Sequence, residues 1–280
     1  MSPACTIQGV DVFVDGDGAT TLVMLHGWPD DLRLWDGTVQ ALQGRFRCVR
    51  FTLPGFDLAK PPGALPLDQM TGLIDSIVNA VSPNAPVTLL LHDWGCMFGY
   101  AFAAAHPARV SAVVAVDVGD HNSQEYLKGL GTKAGFMIFA YQFALALAWE
   151  VGRRLSPALA NRMTRWIAHF IGCRTVPAHI GWQMNYPYAM TWFGTAGGLK
   201  GVTKVKPVWP LLYIYGARKP FMFHSAQWLE LIKQAPGSAV HAFATGHWVM
   251  VQKPDEFNAC VHAWLTVRSR DVTAQRHPPT

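Results

Sequence analysis

The sequence predicts an α/β fold in which helices cover both faces of a mostly parallel central sheet and a helical lid is inserted into the chain. Its 280 residues suit one large domain, and because half of them are apolar and only 15% are charged, a sizeable core can form. Short apolar runs alternate with helical stretches along most of the chain. This alternation stops after Asp117 and resumes near residue 206, which marks the inserted segment.

Seven short runs rich in Val, Ile, Leu and Phe have the length and composition of strands, and several are almost continuously apolar. Such runs are typical of parallel strands that are covered on both faces. The predicted strands are 10–14, 21–25, 48–53, 87–91, 110–116, 211–215 and 240–243. The predicted helices that alternate with them are 32–42, 67–80, 96–105, 225–234 and 255–267.

Residues 122–205 are helical, aromatic-rich sequence, and this insertion divides the predicted core into residues 1–121 and 206–280. The Gly-rich stretch GTAGGLKGV joins the insertion to the second part of the core. Between residues 122 and 200 there are eight Lys or Arg residues and two acidic residues, a net charge of +6. We interpret this excess as a solvated basic face rather than as a site for an anionic substrate.

The bulk properties argue against several classes of protein. The net charge is +5, but no Lys/Arg cluster has the form of a nucleic-acid-binding stripe, so we expect no nucleic-acid partner. Five scattered cysteines without a CxxC pair favour neither a disulfide framework nor a metal site, and no cofactor is expected. The N-terminus lacks a signal-peptide pattern, and the longest apolar segment, 136–149, is shorter than the roughly 20 residues that span a bilayer. We therefore expect a cytoplasmic protein without a membrane span, and its oligomeric state stays open.

A carboxylate stands directly after the predicted strand 87–91, in the stretch LLLHDWGCMFGY. A strand that turns sharply into a helix can expose one side chain above the sheet, provided that its neighbours are small. Gly95 meets that need two positions after Asp93, whereas Leu91, two positions before, is bulkier than the usual glycine. The alternative is that Asp93 only caps the following helix.

Two histidines also follow predicted strands. His26 follows strand 21–25 in HGWPDD, and its His-Gly turn can present backbone N–H groups toward the same end of the sheet. His247 follows the last predicted strand in FATGHWVM, 154 positions after Asp93, so only the fold could bring the two together. A lone histidine is more often structural, but a histidine in this loop together with a strand-end carboxylate favours a catalytic pair.

These segments resemble the α/β-hydrolase family. The matching stretches are HGWPD at 26–30, LPGFD at 53–57, HDWG at 92–95 and TGHW at 245–248, and they occur in the family's order across nearly the whole chain. An aspartate followed by Trp-Gly resembles the epoxide hydrolase and haloalkane dehalogenase branch rather than serine esterases or lipases. HGWPD is closer to the epoxide hydrolases.

The resemblance implies a hydrolase that works in two steps. Asp93 would displace a leaving group at an sp³ carbon and form an ester, which a water activated by His247 would hydrolyse. The oxyanion of the second step would accept hydrogen bonds from the backbone N–H groups of Trp28 and Trp94, beside the His26 turn. The insertion is rich in Phe, Trp, Met and Ala, which favours a small apolar organic substrate.

Opening an epoxide requires a proton or a strong hydrogen bond at the leaving oxygen, which tyrosine hydroxyls can supply. The insertion offers Tyr141 in FAYQFAL and the pair Tyr186 and Tyr188 in QMNYPYAM, and both segments resemble tyrosine-bearing lid segments of epoxide hydrolases. Pro187 stands where a gapless match would place the tyrosine, so the register of the second segment stays open. Alternatively, these rings only pack inside the insertion.

The acid that orients the histidine is missing from its common place. In the family it follows the strand predicted here at 211–215, in a Gly-x-x-Asp pattern, whereas the loop YGARKPF has Lys219 at that position. A cation cannot accept the imidazole N–H and disfavours the imidazolium. Some dehalogenases carry the acid after the preceding strand, where this chain has Asp117 and Asp120, and we favour Asp117. The remaining alternatives are no acid at all, or a water or backbone substitute.

Three functions follow from this pattern. The leading hypothesis is hydrolysis of an epoxide to a vicinal diol through an ester at the nucleophile. A haloalkane or haloacid dehalogenase would instead need halide-binding donors, such as the indoles of Trp94 and of Trp149, Trp182 or Trp192. The third hypothesis is a catalytically inactive hydrolase fold used for binding, which Lys219 supports and the otherwise intact motif set opposes.

Overall fold

The centre of the protein is an eight-stranded sheet, seen in a computed structural model that describes residues 2–200, 202 and 205–276. The strands are β1 (Cys5–Ile7), β2 (Val10–Asp15), β3 (Thr21–Leu25), β4 (Arg47–Phe51), β5 (Val87–His92), β6 (Val110–Val116), β7 (Leu211–Gly216) and β8 (Ala239–Phe243). Their order across the sheet is β1-β2-β4-β3-β5-β6-β7-β8. The pairs β1–β2 and β2–β4 are antiparallel, and all other pairs are parallel.

Helices flank this sheet and form the insertion. They are α1 (Asp36–Leu42), α2 (Leu67–Val81), α3 (Trp94–Ala105), α4 (Gln124–Gly129), α5 (Thr132–Arg154), α6 (Pro157–Phe170), α7 (Tyr186–Phe193), α8 (Ala226–Gln234), α9 (Val249–Gln252) and α10 (Pro254–Arg276). The α/β fold predicted from the sequence is therefore confirmed.

Both faces of the sheet are buried, which explains why its strands are apolar at successive positions. On β5, Leu89 and Leu91 belong to the core that includes residues of α2 and α3. Leu90 between them points to the opposite face and belongs to the core that includes Phe257 and Val261 of α10. Alternate residues of one strand thus fill two different cores, as expected for a sheet with helices on both sides.

The predicted strands all occur, with ends that differ by at most two residues. Strand β1 was not predicted, because it has only three residues and its side chains are not fully buried. The predicted helix 32–42 begins as a 3₁₀ turn over Leu32–Trp35 before α1 starts. Helix α3 begins at Trp94 rather than at residue 96, so it starts immediately after Asp93.

The helices α4 to α7 lie between β6 and β7, in the segment predicted as an insertion, and its described residues include no strand. Helix α5 has 23 residues and is long and apolar enough to cross a membrane, judged by length and composition only. Within its apolar 18-residue stretch, 22% of the residues are buried. The expectation that the apolar segment is too short for a bilayer is therefore wrong as to length. The helix extends beyond the apolar run at both ends, and the sequence argument counted only the run.

The parallel strands direct their carboxyl ends to one edge of the sheet, and the candidate residues follow those ends. His26 follows β3, Asp93 follows β5, Asp117 follows β6 and His247 lies in the loop after β8. In open α/β sheets, ligands bind outside the carboxyl ends of the strands. The topology thus gathers these side chains on the side of the sheet where a site is expected.

Candidate active site

Asp93 occupies a strained turn between β5 and α3. Its backbone has φ 51° and ψ −121°, a combination that is rare for residues with a side chain. A Cβ atom at Gly95 would collide with the carbonyl groups of Leu25 and His26, so the turn requires glycine there. The Asp93 carboxylate makes no capping hydrogen bond to α3, all of whose residues are described. The alternative that Asp93 merely caps this helix is therefore wrong.

The bulky residue two positions before Asp93 is accommodated by a glycine on the facing helix. A Cβ atom at Gly99 of α3 would lie 2.6 Å from Cδ1 of Leu91. The close approach of strand and helix is thus preserved, but the small residue stands on the helix instead of the strand. This pairing explains how the turn tolerates leucine at a position where glycine is usual.

Asp93 meets His247 and a backbone donor through different oxygens. His247 Nε2 lies 3.4 Å from Asp93 Oδ2, and both side chains keep about 15% of their surface exposed, at 15% and 16%. The backbone N–H of Trp28 donates to Asp93 Oδ1 at 2.7 Å. A Cβ atom at Gly27 would lie 2.6 Å from the Trp94 backbone nitrogen, so both expected N–H groups lie close to this carboxylate.

Asp117 joins His247 to Lys219. Its Oδ2 accepts from Nδ1 of His247, and its Oδ1 is ion-paired with Nζ of Lys219. The backbone N–H of Gly216 also donates to Oδ1, at 3.0 Å. Asp117 is fully buried and Lys219 almost so, which means that neither charge is screened by bulk water.

The four charged groups of this cluster shift one another's pKa. Burial alone would lower the pKa of His247, but the carboxylates of Asp117 and Asp93 raise it to about 9. Burial would raise the pKa of Asp117, and the Lys219 ammonium and His247 bring it below its usual value. Burial likewise acts to raise the pKa of Asp93, and His247 lowers it. Burial lowers the pKa of Lys219, and the Asp117 carboxylate opposes that fall. The cluster thus combines two acidic groups with two basic ones, and each carboxylate lies against a basic partner.

Asp120, the second candidate acid, has a different role. Its Oδ2 accepts from the hydroxyls of Ser123 and Ser225, both at 2.7 Å, and its Oδ1 accepts from the Ser225 backbone at 2.7 Å. Ser123 and Ser225 cap the N-termini of α4 and α8. Asp120 thus ties two helix starts together, and its assignment as an acid for the histidine is wrong because its oxygens face these serines.

His26 holds the HGWPD turn, residues 26–30, in place through its ring nitrogens. Its Nε2 accepts the N–H of Leu53 at 2.9 Å, and its Nδ1 lies 3.1 Å from the carbonyl oxygen of Gly27. Burial lowers the pKa of His26 to about 4, so the ring is neutral. Because both ring nitrogens bond to backbone, the His26 side chain fixes the loop geometry, and the turn that it holds brings the Trp28 N–H to Asp93.

Two of the three candidate tyrosines lie near Asp93. The Tyr188 ring packs against the rings of Trp28 and Trp94, with centroids 5.7 and 5.4 Å away. Burial, and then the Asp93 carboxylate, raise the pKa of Tyr188 well above its usual value, while a hydrogen bond with Trp94 opposes the rise. The Tyr141 ring lies 6.2 Å from that of Tyr188, and its pKa is also raised by burial and by Asp93. Both hydroxyls therefore stay protonated and can donate.

Tyr186 instead packs where the insertion meets the core. Its ring lies 5.8 Å from that of Phe56 and 6.2 Å from that of Trp149, and a Cβ atom at Gly55 would come within 2.6 Å of it. Burial alone raises its pKa, without a contribution from Asp93. Of the two tyrosines in this segment, Tyr188 is therefore the stronger candidate for the site, because the Tyr186 ring packs on Phe56 and Trp149.

The insertion tryptophans that were candidates for halide binding pack against other aromatic rings or next to a glycine. Trp149 packs on Trp182, with centroids 5.2 Å apart, and the Trp182 ring fills the space beside Gly152. Trp192 is partly exposed and packs against Phe139. Among the described residues, no group of three or more His, Cys, Asp or Glu side chains could hold a metal ion.

Three supporting residues were not identified as such from the sequence. Asn185 accepts the Trp28 indole N–H at 2.7 Å and so ties the HGWPD turn to the insertion. Asp30, the last residue of HGWPD, accepts from the Trp248 indole at 2.8 Å and from the Thr175 hydroxyl. His92 is buried beside His247, with ring centroids 4.5 Å apart. Each lies in or beside a segment that the sequence had already singled out, and this proximity is the only sequence feature that could have indicated a supporting role.

Comparison with known proteins gives relatives of several kinds. An epoxide hydrolase from Bacillus megaterium, solved with its diol product, matches with a TM-score of 0.69 and 21% identity over 93% of this chain and 99% of that one. At this identity the likeness shows the fold alone. The probable oxidoreductase EphD of Mycobacterium tuberculosis is 38% identical over 31% of this chain and 16% of its own length. The cis-3-alkyl-4-alkyloxetan-2-one decarboxylase of Xanthomonas campestris is 32% identical over 33% of this chain and 34% of its own length.

The matched segments thus cover no more than about a third of either curated relative. The family assignment rests on a longer match. The profile of the α/β hydrolase fold matches residues 20–254, which include the turn with Asp93, the insertion and the loop with His247. Together with the sheet order and the helices on both faces, this match shows that the chain belongs to the α/β-hydrolase family.

Proposed function

We propose that the protein hydrolyses a small apolar epoxide to a vicinal diol through an ester at Asp93. The observation that carries the proposal is the position of Tyr188 and Tyr141. The Tyr188 ring packs against Trp28, whose backbone N–H donates to Asp93, and against Trp94, and the Tyr141 ring lies 6.2 Å from that of Tyr188. A carboxylate nucleophile faced by neutral phenols matches the needs of epoxide opening, since the departing oxygen requires a donor.

In the first step Asp93 Oδ2 attacks one epoxide carbon, and the bond from that carbon to the ring oxygen breaks. The choice of oxygen follows from the hydrogen bonds, because Oδ1 already accepts the Trp28 N–H at 2.7 Å. The released oxygen accepts hydrogen bonds from Tyr141 and Tyr188 and takes a proton from one of them. The product of this step is a hydroxyalkyl ester of Asp93.

In the second step His247 takes a proton from water, and the hydroxide attacks the Asp93 carbonyl carbon. Esterification removes the charge of Asp93, which is one of the causes that raise the pKa of His247 to about 9. The pKa of His247 therefore falls once the ester forms. The imidazolium then returns its proton to the tyrosinate that the first step left, and the neutral ring becomes available as a base. The oxyanion forms at Oδ1, beside the Trp28 N–H, and its collapse releases the diol and restores the carboxylate.

We propose Asp117 as the acid that orients His247, in the place of the missing acid at position 219. Support comes from its contact with Nδ1 of His247, which leaves Nε2 toward Asp93. Support for a strained oxygen ring as substrate comes from the Xanthomonas campestris relative, which is named for an oxetan-2-one. A dehalogenase is less favoured, because the Trp94 indole hydrogen-bonds Tyr188 and the insertion tryptophans pack elsewhere.

The test is a single turnover in ¹⁸O-water with enzyme in excess over styrene oxide, followed by mass spectrometry of the peptide that contains Asp93. We expect one ¹⁸O atom in the Asp93 carboxylate, because the water attacks the enzyme and not the substrate. Diol formation without label in that peptide would rule out the ester. Absence of turnover across a panel of epoxides and bromoalkanes would favour a protein that only binds its ligand.

The His247→Gln variant provides a second, independent readout. Without the base the ester should accumulate, and the intact protein should gain the mass of the epoxide. The Asp120→Asn variant is the matched control, because Asp120 only ties helix starts together. It should label like the parent enzyme.

A further inference from the structure

Helices α5 and α6 of the insertion expose large apolar side chains that the candidate site does not use. Phe136 on α5 is 69% exposed, and Trp166 and Phe170 on α6 are 66% and 76% exposed. Scattered exposed apolar residues are ordinary, but contiguous exposed aromatic surface marks an interaction site. The question is therefore whether these side chains are contiguous, and what would cover them.

One group, the lid aromatic patch, consists of four rings on α5 and α7. Phe139 stacks on Phe143 with centroids 5.3 Å apart, and Trp192 lies 5.0 Å from Phe139. Phe193 adds a ring 5.7 Å from that of Phe143. Phe136 stands three positions before Phe139 and lies on the same side of α5. These contacts make the patch continuous across two helices.

A second group, the α6 stripe, follows one side of the next helix. Leu159, Met163, Trp166 and Phe170 are spaced by four, three and four residues, which aligns them along the helix. Trp166 and Phe170 stack with centroids 5.5 Å apart. The inward side of α6 is formed by Ala160, Thr164, Ile167 and Ala168, which are buried. The helix therefore has an apolar outer stripe in addition to its core face.

The net positive charge of the chain lies in the same segment. Residues 122–200 carry +6, whereas the whole chain carries +5, so the remaining residues together carry −1. Lys133 precedes the patch on α5, Arg162 lies on α6 among the stripe residues, and Arg174 follows α6; all three are exposed. Aromatic side chains flanked by Lys and Arg are the composition of helices that lie in a membrane interface.

Helix α5 cannot leave the fold to cross a bilayer. An 18-residue stretch of α5 has a mean hydropathy of 1.4. However, Leu145, Ala146 and Trp149 on the inner side of the helix belong to the core of the domain. Tyr141 of the same helix packs against Tyr188. Withdrawing the helix would expose these residues and break the site, so its apolar outer side can meet lipid only from the surface.

We propose that the insertion docks the protein onto an anionic lipid surface, with the lid aromatic patch and the α6 stripe in the interface and the basic residues at the headgroups. Charge distinguishes this partner from a second copy of the chain. A symmetric dimer through this face would place two segments of +6 against each other, whereas anionic lipid neutralises the charge.

The test is sedimentation of the full-length protein with phosphatidylcholine vesicles that contain either no phosphatidylglycerol or 30% of it. We expect binding to the anionic vesicles only, and loss of binding in high salt, because surface electrostatics is screened. Each basic residue at such a surface changes partitioning about fivefold. The double variant Arg162→Glu/Arg174→Glu should therefore bind at least tenfold more weakly, and Trp166→Ser/Phe170→Ser should bind weakly in low salt as well.

Matched controls come from the opposite parts of the molecule. Arg45→Glu removes an exposed charge of the core, and Leu231→Ser removes an exposed leucine of α8. Both should bind vesicles like the parent protein, and circular dichroism melts should show that all variants fold. Equal binding to neutral and anionic vesicles, or equal effects of lid and control variants, would overturn the proposal. Self-association that Trp166→Ser/Phe170→Ser abolishes, without vesicle binding by the parent, would assign the face to a second copy instead.

Discussion

The sheet edge and the helical insertion contribute to the site in different ways. The edge supplies four titratable groups within one connected cluster, two of them acidic and two basic. The insertion supplies neutral tyrosines whose pKa values are raised by burial and by the nucleophile. The edge is therefore suited to covalent and proton-transfer chemistry, and the insertion to recognition of the leaving group. Substitution of Asp93, His247 or Asp117 at the edge should stop every reaction, whereas substitutions on the insertion should affect one class of substrate.

The largest effect is expected from Asp93→Ala at the edge. Without a nucleophile no ester can form, so turnover should fall by a factor on the order of 10⁴ or more for any substrate. Steady-state rates with a styrene oxide panel measure the loss, and a thermal melt checks that the strained turn still folds. A variant that keeps a tenth of the parent rate would contradict covalent catalysis by this residue.

The two aspartates after β6 allow a comparison within the edge itself. Asp117→Asn should lower kcat by about 10³ to 10⁴, because it leaves the histidine without a carboxylate at Nδ1. Asp120→Asn should leave kcat within a factor of about three and lower the melting temperature, because it weakens the links to two helix caps. If the two variants had the opposite effects, the assignment of the acid would be wrong.

Removing the tyrosine hydroxyls of the insertion should slow only one of the two chemical steps. Tyr188→Phe and Tyr141→Phe should each slow formation of the Asp93 ester from an epoxide by a factor of about 10², since each removes a donor to the leaving oxygen. Hydrolysis of an ester already formed should be unchanged, because that step uses the edge alone. Rapid-quench kinetics separates the two steps.

The control for the tyrosines is Tyr186→Phe. Its hydroxyl has no partner among the described residues, and its ring packs on Phe56 and Trp149. Removing the hydroxyl should leave ester formation unchanged. A rate loss in this variant equal to that of Tyr188→Phe would return the register of the tyrosine segment to an open question.

The proposed nucleophile and base were already candidates in the sequence, because each occupies a short motif at a strand end. To choose Asp93 and His247 as candidates, only the predicted order of strands and loops was needed. The acid could not be chosen, since Asp117 and Asp120 are three positions apart after the same strand, and only side-chain direction distinguishes them. Lys219 was counted against catalysis, because a sequence does not reveal that a cation and a histidine bind the same carboxylate.

The outer surface of the insertion was hard to predict for a related reason. Composition indicated an apolar, basic segment, and a solvated basic face was the simplest interpretation. Which apolar residues face inward depends on how α5, α6 and α7 pack together, and periodicity within one helix cannot supply that. The stacked pair Trp166 and Phe170 lies on the outside although its spacing would equally suit a core face.

The smallest effect is expected from Lys219→Met, and it appears as a shift in pH. The Lys219 ammonium shares Asp117 with His247, so removing it strengthens the hold of Asp117 on the imidazolium and raises the pKa of His247. Since ester hydrolysis needs the neutral ring, the acid limb of kcat should move to higher pH by about one unit, which corresponds to ~1.4 kcal/mol. Rates well above that limb should stay close to those of the parent.

The charge of Lys219, rather than its volume, determines this outcome. Lys219→Arg keeps a cation beside Asp117 and should leave the acid limb in place, even if the larger group lowers stability. A limb that shifts equally in both variants would mean that Lys219 acts through packing. If the acid limb of Lys219→Met moved to lower pH, the lysine would have to stabilise the imidazolium. That outcome would contradict the expectation that Lys219 competes with His247 for the Asp117 carboxylate.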